Sequence, residues 1–418
     1  MPSYWGYRFM KIALISESPS VATGFGIHAR HLTRMLAEWG HETVVFGVCA
    51  AGQPFDPTRY PCRIVPMPRD QKEALPLLPD FLTAEQPDLV FIHYDLGAVA
   101  RFAAAIRSAG WTGPMICHFV IDTIPFDCDL MQVLRDFRAA MTPTYAAANY
   151  SASLGIPNVI AAPHPVDAGL FRPLPHRDAL RRAAGLDGRF VIGVFGRNTE
   201  RKQQPRVMMA LQQLRARGRA DDIIAYFHCQ PTNEDPWLSS WNLIHVADHL
   251  GVADLVLFPQ GEFRQLAGIP YDADAPASVV GDALPERPTI PANYTYVERL
   301  NLCDLLVNVP HSGAFELAPL EAALCGVPAA VTNDRSAMAE VVGDGAYLLE
   351  PIDSAIHSSG GWQHFVGACT IAEAILEIKE NAALRAELIR RGRANALRYT
   401  EEPLRRGLQQ ALDRAVAG

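Results

Sequence analysis

Arg197 and Lys202 stand five residues apart in the run FGRNTERKQQP (195–205), directly after an apolar stretch and just before a helical pattern. Two cations fixed on a short loop in that position can neutralise a diphosphate, including the charge that develops on a diphosphate leaving group. A solvated basic loop is the alternative, but the carboxyl end of a strand is where open α/β sheets bind ligands. A second run, NVPHSGAFELAPLEAALCGVP (308–328), joins a turn of small residues to a helix that Pro319 opens and that carries Glu321 in its first turn. Amides at such a helix start hold phosphate, and a carboxylate there binds ribose or sugar hydroxyls. The stretch from Gly313 through Ala314, Phe315, Glu316 and Leu317 to Glu321 is therefore the second candidate wall of a binding site.

The run SESPSVATGFGIHAR (16–30) places Gly24 and Gly26 ahead of a third helix, where free amides would face an anion or a sugar; a tight strand-to-helix turn explains the glycines equally well. The spacing is not GxGxxG, so no nicotinamide cofactor is indicated. In MICHFVID (115–122), Asp122 sits at a strand end and is placed to meet a substrate hydroxyl, while His118 either reaches the same space or is a satisfied core histidine. His93 and Asp95 of FIHYDLG are weaker candidates, and His164 either joins them or is a linker contact. Asp127-Cys128-Asp129 and Asp272-Ala273-Asp274 have the DxD form of a metal-diphosphate motif. Neither follows the strand that such a motif needs, so no metal is expected.

These residues need strands to carry them. KIALIS (11–16), TVVFGV (43–48), DLVFIHY (88–94), MICHFVI (115–121) and NVIAAPH (158–164) are near-continuous apolar runs, the mark of strands buried on both faces of a parallel sheet. A helix over about 27–39, closed by Gly40, separates the first two. After the proline-bearing stretch 167–178 the grammar restarts, with strands expected at 189–196, 223–229, 255–260, 305–310, 328–333 and 346–351. Helical patterns near 203–217, 237–250, 318–325 and 335–342 alternate with them, and 261–292 reads as an insertion. The expectation is an α/β chain of two doubly wound, Rossmann-like domains, 1–170 and 171–385, facing across a cleft. A carboxyl-terminal helix over 386–418 would pack back toward the first domain.

Composition removes several classes. A net charge of -8 argues against a dedicated duplex nucleic-acid binder, and no apolar run approaches the roughly 18 residues of a membrane-spanning helix. Met1 to Met10 lacks the order of a secretory signal and reads as a leader, with Met10 an alternative start. Eight cysteines without a CxxC spacing suit reduced thiols of a cytoplasmic protein. Arginines from 385 to 406 suit a packed amphipathic helix, or contact with a membrane surface or an anionic acceptor.

The segment 308–351 resembles the donor-binding signature of GT-B glycosyltransferases of family 4, E-G-F-G-L-x-P-L-E-A-x-A-x-G-x-P. Phe315, Leu317, Pro319, Leu320, Glu321, Ala322, Gly326 and Pro328 match it, and Glu340 sits in its usual place further on. GRNTERK is similar to the family's G-R-x-x-x-x-K diphosphate clamp, and AAPHPVDAGLFRP (161–173), with Asp167 and Phe171, to the segment leaving the first domain. The resemblance runs from about Lys11 to Pro351, leaving out 261–292. It implies a UDP- or GDP-sugar donor, transfer with retention, no further cofactor, a ribose-binding Glu321, a diphosphate clamp of Arg197 and Lys202, and a histidine such as His118 near the donor sugar. One feature departs: the family's first glutamate falls on Gly313, and Glu316 takes a place usually held by glycine. The departure leaves a different donor sugar, a shifted role for Glu316, or a weakened sugar-nucleotide-binding protein open. A nucleotide-sugar epimerase of the same fold is the other alternative, and the acceptor class is unspecified.

Overall fold

The computed structural model describes residues 9–232, 240–259, 289–290 and 293–417. Residues 1–8 of the leader and most of the expected insertion, with Asp272 and Asp274, lie outside the described residues.

The first sheet is built from β1 (Lys11–Glu17), β2 (Glu42–Val48), β3 (Arg63–Pro66), β4 (Leu89–Asp95), β5 (Met115–Val120), β6 (Ala139–Thr142) and β7 (Val159–Ala161). All pair in parallel, in the order β3-β2-β1-β4-β5-β6-β7. The second comprises β8 (Phe190–Phe195), β9 (Ile223–His228), β10 (Val256–Pro259), β11 (Thr289–Ile290), β12 (Leu305–Asn308), β13 (Ala329–Thr332) and β14 (Tyr347–Leu349). Its order is β11-β10-β9-β8-β12-β13-β14, again parallel throughout. In each half the chain reverses its direction of winding beside the first strand, between β1 and β4 and between β8 and β12. A crevice opens at the carboxyl ends of strands at such a switch point.

The long apolar runs became the central strands: every residue of β8 and β9 is buried, as are the middle five of β1. Two strands carried no comparable signal. β3 is a half-exposed edge of four residues, and β6 reads AAMT, too small in its side chains to stand out. The helix expected over 27–39 begins earlier, at Gly24, because Thr23 caps it by accepting from the Gly26 amide. Of the helix expected near 237–250, residues 237–239 lie outside the described residues, and the rest is helical over Leu243–His249. Beyond the second sheet lies an antiparallel hairpin of β15 (Asp353–Ile356) and β16 (Trp362–Phe365), which the sequence did not suggest.

Two helices, not one, follow the second domain's closing helix Ala368–Glu380. Ala382–Ala396 stays on the second domain, where Arg393 and Asn395 donate to the carbonyls of Leu324 and Val341. Glu401–Ala417 crosses back and buries Leu404, Leu408, Ala411, Leu412 and Ala415 with Ile12, Leu14, Phe91 and Ile116 of the first sheet. The apolar stripe of that helix recurs every three to four residues, so one face supplies the whole contact. The arginine-rich stretch is largely spent on pairing: Arg390 and Arg391 meet Glu387, and Arg405 meets Glu38 and Glu401. Among the described residues, no helix is long and apolar enough to cross a membrane.

Candidate functional site

The two switch points face one another. Between them lies a cleft of about 380 Å³ lined from the first half by Glu17, Gly24, His28, Asp122 and His164, and from the second by Arg197, Arg201, Ala314 to Leu317. A second chamber of about 620 Å³ adjoins it, sharing Asp122 and Arg201 and bounded by Asp95, Thr123, His311 and the tip of the β15–β16 hairpin.

Gly24 and Gly26 do different work. A side chain on Gly24 would meet nothing within 4 Å, whereas a Cβ on Gly26 would lie 2.4 Å from the Val21 carbonyl and 2.8 Å from that of Ser18. Gly26 is therefore glycine because two backbones touch, and its amide is already committed to Thr23 Oγ1 at 3.0 Å. The expectation that it offers a free donor to a ligand does not hold; Gly24 is the one that lines the cleft. The Thr23 hydroxyl also donates to Glu17, whose carboxyl burial nevertheless pushes above the usual range.

On the facing loop, Arg197 lines the cleft, while Lys202 lies buried against Glu316. Glu316 also receives Arg201 at 3.3 Å, and Arg201 reaches across the domains to Asp122 at 3.5 Å and to the Ser312 carbonyl at 2.6 Å. Burial alone would raise the Glu316 carboxyl, but Lys202 and Arg201 outweigh it and hold it below the carboxylate range. Burial draws the Lys202 ammonium down in spite of Glu316. The buried cluster thus sets two cations around one anion. Arg201 was legible only as the neighbour of Lys202, and no pattern in the sequence announced its link to Asp122.

The Gly313 departure has a geometric counterpart. A Cβ built on Gly313 would stand 2.7 Å from Glu316 Oε1 and 3.1 Å from Met338 Sδ. The Glu316 carboxylate thus folds back over residue 313 and fills the space that a side chain there would enter. Glu321, on the helix Leu317–Leu324, is buried and accepts from the Tyr296 hydroxyl at 2.8 Å; burial pushes its carboxyl up to about 7. Glu340 accepts from the amides of Tyr145 and Ala146 at 2.8 and 2.6 Å, capping a first-domain helix from the second domain.

His118 does not line either chamber. It is fully buried, with Nε2 3.3 Å from the Ala162 carbonyl, and packs with His28, His93 and His164. Of the four, His28 and His164 reach the cleft. Asp127 caps the short helix Cys128–Met131 by accepting from the Asp129 and Leu130 amides, so its carboxylate is engaged by the backbone.

Residues 23–186 match the model of the glycosyl transferase 4-like domain. The fold is GT-B. This GT-B chain is similar over its whole length to sucrose-phosphate synthase from Thermosynechococcus elongatus, with a TM-score of 0.71, 17% identity and coverage of 98% of this chain and 100% of that one. It resembles Anabaena HepE solved with UDP and glucose (TM-score 0.66, 16% identity, 97% and 99% covered). It also resembles a UDP-forming trehalose-phosphate synthase from Burkholderia xenovorans (0.64, 14%, 98% and 100%). No curated protein sequence matches it. The enzyme class expected from the sequence, glycosyltransferase, is that of the matched domain, and the two-domain architecture of the GT-B chain is that of the three structures.

Proposed function

We propose that this chain transfers a sugar from a nucleotide-diphosphate sugar to an acceptor hydroxyl, with retention of anomeric configuration. The observation that carries the reading is the meeting of Arg197, Arg201 and the start of the Leu317–Leu324 helix at one cleft, opposite Gly24 on the other switch point. A diphosphate laid there meets fixed cations, and buried Glu321 with Tyr296 suits a ribose. A uridine donor is favoured over a guanosine one, because HepE was solved with UDP and with UDP-glucose.

The acceptor enters through the larger chamber, where Asp122 borders both spaces. The bond between the anomeric carbon and the donor phosphate breaks, the acceptor oxygen forms the new glycosidic bond, and its proton passes to the leaving phosphate. Arg197 and Arg201 stabilise that phosphate as charge gathers on it. Lys202 acts by holding Glu316 beside them, and Glu316 takes the donor-sugar position that Gly313 vacates. His118 has no direct part. The epimerase and the weakened binding protein gain no support from the three related structures, none of which bears an epimerase name.

A thermal-shift series with UDP, UDP-glucose, GDP and GDP-mannose tests the donor. A ligand at a hundred times its dissociation constant stabilises by about 2.7 kcal/mol, so the correct base raises the melting temperature and the wrong one does not. Absence of any shift with all four at millimolar concentration rejects a nucleotide-sugar site. An inverted product anomer rejects retention.

A further inference from the structure

Four histidines meet under the floor of the cleft, and sugar transfer as described uses none of them. His28 comes from the helix Gly24–Glu38, His93 from β4, His118 from β5 and His164 from the segment after β7. The topology brings them together: β4 and β5 are neighbours, and His93 stands directly opposite His118 in their register. His28 is 3% exposed, and His93 and His118 are wholly buried.

The hydrogen-bond accounting leaves lone pairs pointing inward. His93 Nδ1 lies 3.2 Å from the His118 carbonyl, so its proton sits there and Nε2 carries the lone pair, turned to His28 Nδ1. His118 Nε2 lies 3.3 Å from the Ala162 carbonyl, which leaves Nδ1 as its lone-pair atom, and that nitrogen has no partner. His28 Nδ1 is 3.1 Å from His93 Nε2, and His28 Nε2 is buried without a partner. Unpaired nitrogens in the interior cost free energy unless something occupies the space between them. A backbone carbonyl on the outer nitrogen of an imidazole is also the arrangement that orients histidines bound to metals.

Distances agree. Ligand-capable nitrogens of His28, His93 and His118 all lie within 4.8 Å of one another. Bonds of about 2.0–2.1 Å to a tetrahedral zinc place two nitrogens about 3.3–3.4 Å apart, close to the 3.1 Å between His28 Nδ1 and His93 Nε2, so an ion bound through these two atoms would replace the hydrogen bond between them.

We propose that His28, His93 and His118 form a binding site for a divalent transition cation of borderline softness, zinc foremost, with cobalt and nickel able to replace it. An all-imidazole donor set excludes magnesium and calcium, which take oxygen ligands. The ion would fasten the Gly24–Glu38 helix to β4 and β5 and so fix the first-domain wall of the cleft. His164 adjoins the group, its ring centroid 4.0 Å from that of His28 and its Nδ1 also unpaired. This site is separate from the diphosphate clamp, so it stands or falls independently of the sugar-transfer reading.

The full chain, without an affinity tag, is stripped with a chelator and titrated with Co²⁺ while its visible absorption is followed. The expected result is one ion per chain, with d–d bands that Zn²⁺ bleaches, and a higher melting temperature with Zn²⁺ than with chelator. His93→Gln and His118→Gln should each weaken binding by more than the about 10–100-fold that removing a ligand's hydrogen-bond partner costs. His249→Gln, on an exposed helix end, should leave it unchanged. Wild-type chain that takes up no cobalt overturns the proposal and leaves a neutral imidazole network. So do bands that persist in folded His93→Gln. The wild-type titration decides even if a variant fails to fold.

Discussion

The loops after β1 and after β8 occupy the same place in two copies of one topology, yet they have opposite chemistry. The first has no charged side chain and follows an acid: Glu17, the last residue of β1, is tucked under Thr23, Gly26 presses on the Val21 and Ser18 carbonyls, and the helix behind the loop brings in His28. The second carries Arg197, Arg201 and Lys202 within six residues, and Gln203 adopts a left-handed backbone as the chain turns into the next helix. A shared fold therefore fixes where the crevice lies, and the side chains of each loop set the charge on its own side of it.

The largest expected effect tests that division. Lys202→Ala removes the buried partner of Glu316 and should lower kcat/KM for sugar transfer by about 10²–10³-fold. Glu17→Gln, at the equivalent strand end in the first domain, should change it far less. Equal losses in a steady-state assay would break the comparison.

A smaller effect concerns the carboxylate beside the second loop. Burial raises Glu321 to about 7, above its ordinary value near 4.5, so the folded chain holds this proton more tightly than the unfolded one. The stability it contributes is complete below about pH 4.5 and is lost as pH rises through about 7. Glu321→Gln has no such loss. Its melting temperature relative to wild type should therefore climb between pH 5 and pH 8, by the equivalent of about 3 kcal/mol at most. A constant difference across that range would show that the carboxyl titrates normally. The same variant should lose nucleotide affinity.

Least in size is the contrast within the first loop. Gly26→Ala should destabilise by about 1–3 kcal/mol in denaturant unfolding, since backbone must move to admit the methyl group. Gly24→Ala should stay within about 0.5 kcal/mol, because its Cβ enters open space. Similar costs at both positions would mean that the two glycines share one role.

Much of this was legible in the sequence wherever a signal is local. The buried strands announced themselves as apolar runs, and Arg197, Lys202, Asp122, Gly24 and the Gly313–Glu321 turn all come from loops at strand ends. Edge strand β3 and the small-residue strand β6 escaped because periodicity needs length and bulk to show. What sequence could not supply was partnership between distant elements. The Lys202–Glu316 pair joins the loop after β8 to the loop after β12, and Arg201 meets Asp122 from the other domain. His93, His118 and His164 were each visible as a single residue, and His28 was passed over entirely. Their convergence depends on strand order and register, which no local pattern encodes.

The way Glu316 lies over Gly313 makes the two positions a lock with a required order of opening. Adding a carboxylate at 313 while Glu316 remains would crowd two like charges into one space, 2.7 Å from a side chain already seated there. Emptying 316 first strands Lys202 without its anion. A lineage moving between this arrangement and the reverse one must cross one of these two gaps, and the passage through a lysine short of its partner is the one that a bound diphosphate could bridge. The ligand itself would then decide which route stays open.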